Sequence, residues 1–310
     1  GLRDIGFAAP EVVLHKGPAG AWDAYGVRDP SLLTGPDGRL ATPDGAMVMY
    51  YTGSARKGRS QGCGRAVSRD GGRTWQRAPT AMVFGPASGG WDSGMATTPY
   101  VMSWEDGSYR MYYRGGSRIY DDAIGVAVSR DGVQFERYGD GPILTPREFR
   151  DMPQRPPLLM GLPNVVRMLD GRYLLTFEGD SVSRGRCQIF GAVSEDGIRF
   201  VPLNDGGPLF SADDVHTWNV DKVANPRITV LEDEGLYLLT FNGSHQSGLY
   251  ALGFAFSRDL EKWWEHPANP ILCPTGLPVR APFSGRLEGG CLVKEDLAGT
   301  GDGVRMYFMA

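Results

Sequence analysis

Five acidic residues, Asp29, Asp92, Glu178, Asp221 and Glu288, stand at the ends of short apolar runs, where a side chain can be aimed rather than left to wander. Asp29 is the most constrained, because Arg28-Asp29-Pro30-Ser31 leads straight into Leu32-Leu33 and the proline fixes the backbone behind it. Two facing carboxylates can break a glycosidic bond. A nucleophile and an acid need about 5–5.5 Å between them, and a base acting through water needs ~6.5–9.5 Å. One of the pair must keep its proton near neutral pH, which desolvation or a like-charged neighbour achieves. Asp29 would be base or stabiliser, with Glu288, Asp221 or Glu178 as the acid.

Other residues around these acids suit a sugar. Trp22, Trp91 and Trp218 offer flat faces for stacking, or equally for packing between sheets. Asp23, Tyr25, Asn225 and His245 offer hydrogen bonds. Arg28, Arg114, Lys222 and Arg286 would hold a hydroxyl, carboxylate or phosphate, or would simply neutralise the acids. Each acid has a plainer role open to it as well: Asp29, Asp92 and Asp221 as caps of loop N–H groups, Glu178 as a partner of Arg114 or Arg28, and Glu288 as a link to a neighbouring sheet.

What brings these residues together is a repeat. The pairs Asp29-Pro30, Thr98-Pro99, Leu162-Pro163, Asn225-Pro226 and Gly289-Gly290 follow one another at 69, 64, 63 and 64 residues, and each opens an apolar run. A second run ends in small or polar residues, among them Thr52, Arg114, Glu178, Asp180, Asn242 and His245. A third ends in a Ser-x-Asp turn, as in Ser68-Arg69-Asp70-Gly71, and an aromatic, Trp75, Phe135, Phe200 or Trp263, starts the fourth. With 44 glycines and 22 prolines as punctuation, the pattern predicts an all-β fold, a five-bladed β-propeller with four antiparallel strands per blade. Blades start near 28, 97, 161, 224 and 288. Residues 5–15 are expected to complete the fifth, so that N- and C-terminal strands share one blade, close the ring and make residues 1–310 a single domain. First-strand starts and second-strand ends then share one face, and the Ser-x-Asp turns, read as structural caps, lie on the other. Thr145 to Glu148 is predicted to start a short helix, and Ser211 to Asp214 another.

Composition narrows the partners. A net charge of −4 with mixed signs gives no basic stripe for nucleic acid, and no run of about 18 apolar residues suits a membrane. Cys63, Cys187, Cys273 and Cys291 have no zinc-ligand spacing. Cys63 and Cys187 align in two non-adjacent repeats, so all four read as thiols, which favours a reducing, cytoplasmic compartment. The chain opens on Gly1, so its start says nothing of a leader. A small-molecule or oligosaccharide partner, no metal ligand set, and a monomer or weak homo-oligomer are expected.

Arg28-Asp29-Pro30-Ser31 and the A-x-S-x-D-G-x-x-F/W units, such as Ala127 to Phe135, resemble motifs of the five-bladed propeller glycosidases, glycoside hydrolase families 43, 32, 68, 62 and 130. The resemblance spans nearly the whole chain and implies hydrolysis or transfer at a glycosidic bond without an organic cofactor, with calcium sometimes held near the channel. Its catalytic triad is only partly matched. Where family 43 has its second aspartate this chain has Leu162, and where it has its acid glutamate this chain has Ala224-Asn225-Pro226. The alternative is a non-hydrolytic member of the fold: a carbohydrate- or small-molecule-binding protein, a glycoside phosphorylase, or a biosynthetic enzyme.

Overall fold

The computed structural model describes residues 11–56, 59–77, 82–117, 122–149, 159–181, 186–218, 220–244, 250–273, 288–296 and 302–309. Four sheets have the same plan, each four consecutive antiparallel strands in sequence order. The first holds β1 (Gly26–Leu32), β2 (Met47–Arg56), β3 (Arg59–Ser68) and β4 (Gln76–Arg77), and the second β5 (Met95–Ser103), β6 (Tyr109–Gly116), β7 (Ala123–Ser129) and β8 (Glu136–Arg137). The third holds β9 (Gly161–Arg167), β10 (Tyr173–Ser181), β11 (Arg186–Ser194) and β12 (Val201–Pro202). The fourth holds β13 (Lys222–Leu231), β14 (Leu236–Ser244), β15 (Tyr250–Ser257) and β16 (Trp263–Glu265).

The fifth repeat departs from expectation. β17 (Glu288–Asp296) and β18 (Asp302–Met309) pair only with each other, as a separate two-stranded sheet lying between β1 and β13–β14. The described residues therefore form a propeller of four blades rather than five, and among them no blade is shared between N- and C-terminal strands. Residues 5–9, expected to supply one closing strand, lie outside the described residues. Glu11 to Leu14, expected as the other, form no strand. Val13 and Leu14 instead pack, partly buried, on the first blade with Leu32, Tyr51 and Trp22.

The core lies between neighbouring blades. Leu33, Val48 and Tyr50 meet Val101, Met111 and Tyr113; Tyr112 and Ile124 meet Val165, Leu175 and Phe177; Val166 and Leu174 meet Val223, Ile228 and Phe241. Each such side chain contributes roughly 1.5–3 kcal/mol on burial. Because side chains alternate along a strand, the second and third blades each feed two of these layers.

The lower turns are built as expected. The hydroxyls of Ser68, Ser129, Ser194 and Ser257 accept the N–H of Gly72, Gly132, Gly197 and Leu260 at 2.8 to 3.0 Å. Tyr50 and Tyr112 then donate to the carbonyls of Gly132 and Gly197 at 2.7 and 2.9 Å, tying the first blade to the second blade's turn and the second blade to the third's. Short 3-10 helices stand at Pro146–Phe149, where Glu148 accepts the Thr145 N–H, and at Ala212–Asp214, where Asp214 accepts the Ser211 N–H.

The loop from Thr34 to Leu40 crosses the lower end of the channel. Thr34 exchanges backbone bonds with Val101 and Ser103, the Pro36 carbonyl takes the Arg167 N–H at 2.6 Å, and the Asp37 carbonyl takes the Val230 N–H at 3.2 Å. Gly38, at φ 79°, is needed here, since a Cβ would stand 2.9 Å from the Ile228 carbonyl oxygen. One loop of the first blade thus laces the inner strands of the other three and closes the channel from below.

Candidate functional site

Every inner strand carries the same irregularity at its upper end. Residues 29–30 oppose Tyr51 alone, 98–99 oppose Tyr113, 162–163 oppose Phe177 and 225–226 oppose Phe241. The two-stranded sheet has its counterpart at Gly289-Gly290. Proline cannot donate to a ladder and is tolerated at such a bulge. The residue before each proline is turned into the left-handed region: Asp29, Thr98, Leu162 and Asn225 have φ of 50 to 53°. That conformation costs roughly 1–2 kcal/mol in a residue with a side chain, and the β-branched Thr98 is among the least suited to it. Held strain of this kind gathers where a chain positions groups for a ligand.

These bulges rim a cavity of about 480 Å³ at the upper end of the channel. Its polar lining includes Arg28, Asp29, Thr98, Arg114, Glu178 and Asp180, joined by Lys222 and Asn225 from the fourth blade. The expected residues Arg28, Asp29, Arg114, Glu178, Lys222 and Asn225 are therefore brought to one place. Thr98, Leu159, Cys187 and Tyr250 also line it and were not expected. Cys187 and Tyr250 open third strands and sit opposite Asp180 and Ser244, the ends of second strands. That cross-strand facing is the signal that finds them.

Glu178 is the acid with the most distinctive surroundings. Its Oε2 accepts the Asn225 N–H at 3.2 Å, as the Thr52 hydroxyl accepts the Thr98 N–H at 2.8 Å in the equivalent place. The residue is half-buried, and its carboxylate is shielded from bulk water. That burial pushes its pKa up to about 7, with Asp29 and Asp180 adding to the rise while the Asn225 N–H and the Arg114 guanidinium oppose it. Asp29 lines the same cavity, with Arg28 Nε 3.3 Å from its Oδ2. Arg114 donates through one terminal nitrogen to Asp122 at 2.8 Å. Lys222 lies 5.4 Å from the centre of the Tyr250 ring, and its hydrogen bond to Tyr250, with Cys187 and Asp180 nearby, holds its pKa above the usual value. Burial drives the Cys187 thiol well above its ordinary range. Among the described residues the hydroxyl of Thr98 is buried with no hydrogen-bond partner.

The tryptophans and two of the expected acids are used elsewhere. A Cβ at Gly53 or Gly64 would stand 2.4 or 2.8 Å from Trp22, which also stacks on Tyr51. Asp23 beside it accepts from Tyr51 at 3.2 Å and pairs with Arg77 at 2.9 Å. The second blade repeats the unit: Trp91 lies on Gly115, Gly125 and Tyr113, and Asp92 accepts from Tyr113 at 2.9 Å and pairs with Arg137 at 2.7 Å. In the fourth blade Trp218 lies on Gly243 beside Phe241. Phe241 has no hydroxyl to donate, and Val220 packs there instead. These units pin the connectors to the sheets, outside the cavity. Tyr25 is exposed, and Asp221 donates its N–H to Ser244 with Oδ2 buried and unpartnered among the described residues. Glu288 opens β17 opposite Met309, but its side chain, like His245 and Arg286, lies outside the described residues.

An endo-arabinase from Bacteroides thetaiotaomicron superposes with a TM-score of 0.61 at 16% identity, over 91% of this chain and 94% of that one. A thermostable family-43 glycoside hydrolase gives 0.57 at 18% identity, over 84% and 77%. A structure from a study of the family-130 mannoside phosphorylases, described as containing glycoside hydrolases that target β-1,2 mannosidic linkages in Candida mannan, gives 0.66 at 20% identity, over 97% and 93%. The chain shares its fold with glycoside hydrolases. No protein-family model matches the sequence, and no curated protein matches it. At such identities the likeness is one of fold alone, and a fold of this kind does not fix a function. Among the described residues no three His, Cys, Asp or Glu side chains are gathered as metal ligands would be. No helix among them is long and apolar enough to cross a membrane.

Proposed function

We propose that this chain cleaves a glycosidic bond in the upper cavity, with Glu178 donating a proton to the leaving oxygen and Asp29 serving the anomeric centre as base or nucleophile. The observation that carries this reading is Glu178 itself, an acid with a pKa of about 7 lining the same cavity as a second carboxylate. Near neutral pH such a group is protonated about half the time and passes its proton on readily. Asp29 is supported as the second carboxylate by the strained bulge that aims it and by Arg28 beside it. Thr98 and Asn225 offer a hydroxyl and an amide to the sugar, and Leu162 an apolar wall.

Phosphorolysis is the second reading, and one observation weighs against it. An attacking phosphate dianion needs cations not already matched. Arg28 faces Asp29 at 3.3 Å, Arg114 faces Asp122 at 2.8 Å, and Asp180 acts on Lys222. The described lining is thus close to neutral, which suits an uncharged sugar and water.

A panel of nitrophenyl arabinosides, xylosides, fructosides and mannosides, assayed with and without phosphate, tests both readings. Turnover independent of phosphate is expected, and turnover only with phosphate would replace hydrolysis by phosphorolysis. Activity surviving the double change Asp29→Asn and Glu178→Gln would overturn the assignment of the pair. Sugar binding by calorimetry without any product would leave a binding protein.

A further inference from the structure

Asp122 is the residue immediately before β7 and is fully buried. Its Oδ2 accepts from the Arg114 guanidinium at 2.8 Å. Among the described residues its Oδ1 has no partner, and neither does Arg114 Nε, although both atoms are buried. The other side of Arg114 faces the cavity, where it neighbours Glu178. A Cβ placed on Gly161 would stand 3.6 Å from Arg114 Cδ and 3.4 Å from Glu178 Oε1, so the two side chains flank one glycine.

A guanidinium beside a carboxylate readily pairs with it through two parallel N–H···O bonds when nothing else holds it. A glutamate so paired is fixed as the anion and has no proton to give. We propose that Asp122 is a positioning residue that holds the Arg114 guanidinium off Glu178, so that Glu178 keeps its proton and Arg114 keeps N–H groups free for a sugar hydroxyl. This rests on the reading of Glu178 as proton donor. Asp122 supplies the one side-chain hydrogen bond that Arg114 makes among the described residues. The other charged or titratable groups lining the cavity around Glu178 are Arg28 and Asp29 from β1, Asp180 from β10, Cys187 from β11, Lys222 from β13 and Tyr250 from β15. None of them is bonded to Arg114, so Asp122 is the group through which its position is set.

The test is a carboxyl titration by difference infrared spectroscopy, with Glu178 identified by subtracting Glu178→Gln, run beside the pH profile of kcat/KM. The midpoint near 7 is expected to fall by about one unit or more in Asp122→Asn, because the released cation stabilises the Glu178 anion, and the basic limb of the profile should fall with it. Asp122→Glu should restore the midpoint. Should Asp122→Asn fail to fold, the double variant Asp122→Asn, Arg114→Gln removes both charges and leaves none buried alone; its midpoint is expected at or above that of the unaltered protein. A folded Asp122→Asn with an unmoved midpoint, or a double variant whose midpoint falls, overturns the positioning role. If the titration moves as stated and no glycoside is turned over, the reaction proposed above fails while the role of Asp122 stands.

Discussion

Asp70, Asp131, Asp196 and Asp259 at the lower turns and Glu178 in the upper cavity are all carboxylates at strand ends of one repeat, yet their surroundings act on them in opposite directions. Below, donors come from the turn itself. Thr74 donates twice to Asp70, the N–H groups of Gln134 and Val133 serve Asp131, and those of Lys262 and Glu261 serve Asp259, so each is held below the usual carboxylate range. Above, Glu178 receives a single N–H, is shielded from water and shares its cavity with Asp29 and Asp180, and its pKa rises. An acid given more N–H donors than it needs is part of the scaffold. An acid denied them, and kept beside others of its charge, is ready to move a proton.

The largest effect expected is on turnover. Glu178→Gln should lower kcat by about 10²–10⁴ on glycosides with poor leaving groups, and much less on nitrophenyl glycosides, whose leaving group needs little protonation. Asp29→Asn should be equally damaging with either leaving group. Steady-state kinetics on both substrate classes checks this, and an equal loss for Glu178→Gln on both would remove its role as the acid.

The same glutamate should weaken the fold. Its folded pKa of about 7 lies above the ordinary 4.5, so between those values the unfolded chain ionises while the folded one holds its proton. Stability falls as pH rises through that window and does not recover above it, by on the order of 3 kcal/mol in all. Glu178→Gln should therefore melt higher than the unaltered protein at pH 8 and at the same temperature at pH 4. A gap of the same size at both pH values would mean that the carboxyl is not the cause.

A neighbouring pair of threonines sharpens the contrast between scaffold and site. Thr52 Oγ1 accepts the Thr98 N–H at 2.8 Å, while the hydroxyl of Thr98 is itself buried and unpartnered among the described residues. Thr52→Ala should cost about 1–3 kcal/mol by orphaning that N–H. Thr98→Ala should leave stability nearly unchanged and raise KM about tenfold, the loss of one hydrogen bond to a substrate hydroxyl. Denaturant melts and KM measured on both variants separate the two roles, and the reverse pattern would exchange them.

Much of this was legible in the sequence, because a repeat states its own register. The spacing of the X-Pro pairs gave the inner strands, the Ser-x-Asp turns gave the lower face, and the residues at 28–29, 114, 178 and 222–225 were placed on the upper one. The closing blade is not legible in the sequence, because Val13 and Leu14 look like half of a strand, and only tertiary packing sets them against the cluster that holds Trp22 and Tyr51. Asp92 was counted with the mouth acids, although Tyr113 in the strand it packs on matches Tyr51 behind Asp23, and Phe241, where no such acid is held, breaks the pattern. Cys63 and Cys187 were aligned as equivalents, but the ladders set Cys63 opposite Thr52 and Ile189 opposite Glu178, which moves Cys187 two residues toward the cavity. Asp122 left no trace in the pattern, since a buried acid serving one arginine has no periodic signature.

The smallest effect belongs to the lower face and is the sharpest check on the division between the two. Burial works against the charge of Asp196, but the N–H groups of Arg199 and Ile198 and the Ser194 hydroxyl outweigh it and hold its pKa at about 2. A pKa below the unfolded value means stability that is present above about pH 4 and is lost as pH falls through about 2. Asp196→Ala should cost about 1 kcal/mol at pH 7, as capping side chains at exposed turns do, and the gap should narrow below pH 4. Solvent screens part of this interaction, so the figure is not raised on account of charge. kcat/KM should not move, because Asp196 lies in the turn after β11, at the opposite end of the strand from Cys187, which lines the cavity. A loss of turnover larger than the loss of folded protein would mean that the lower turns reach the site, and the separation of scaffold acids from reacting acids would have to be withdrawn.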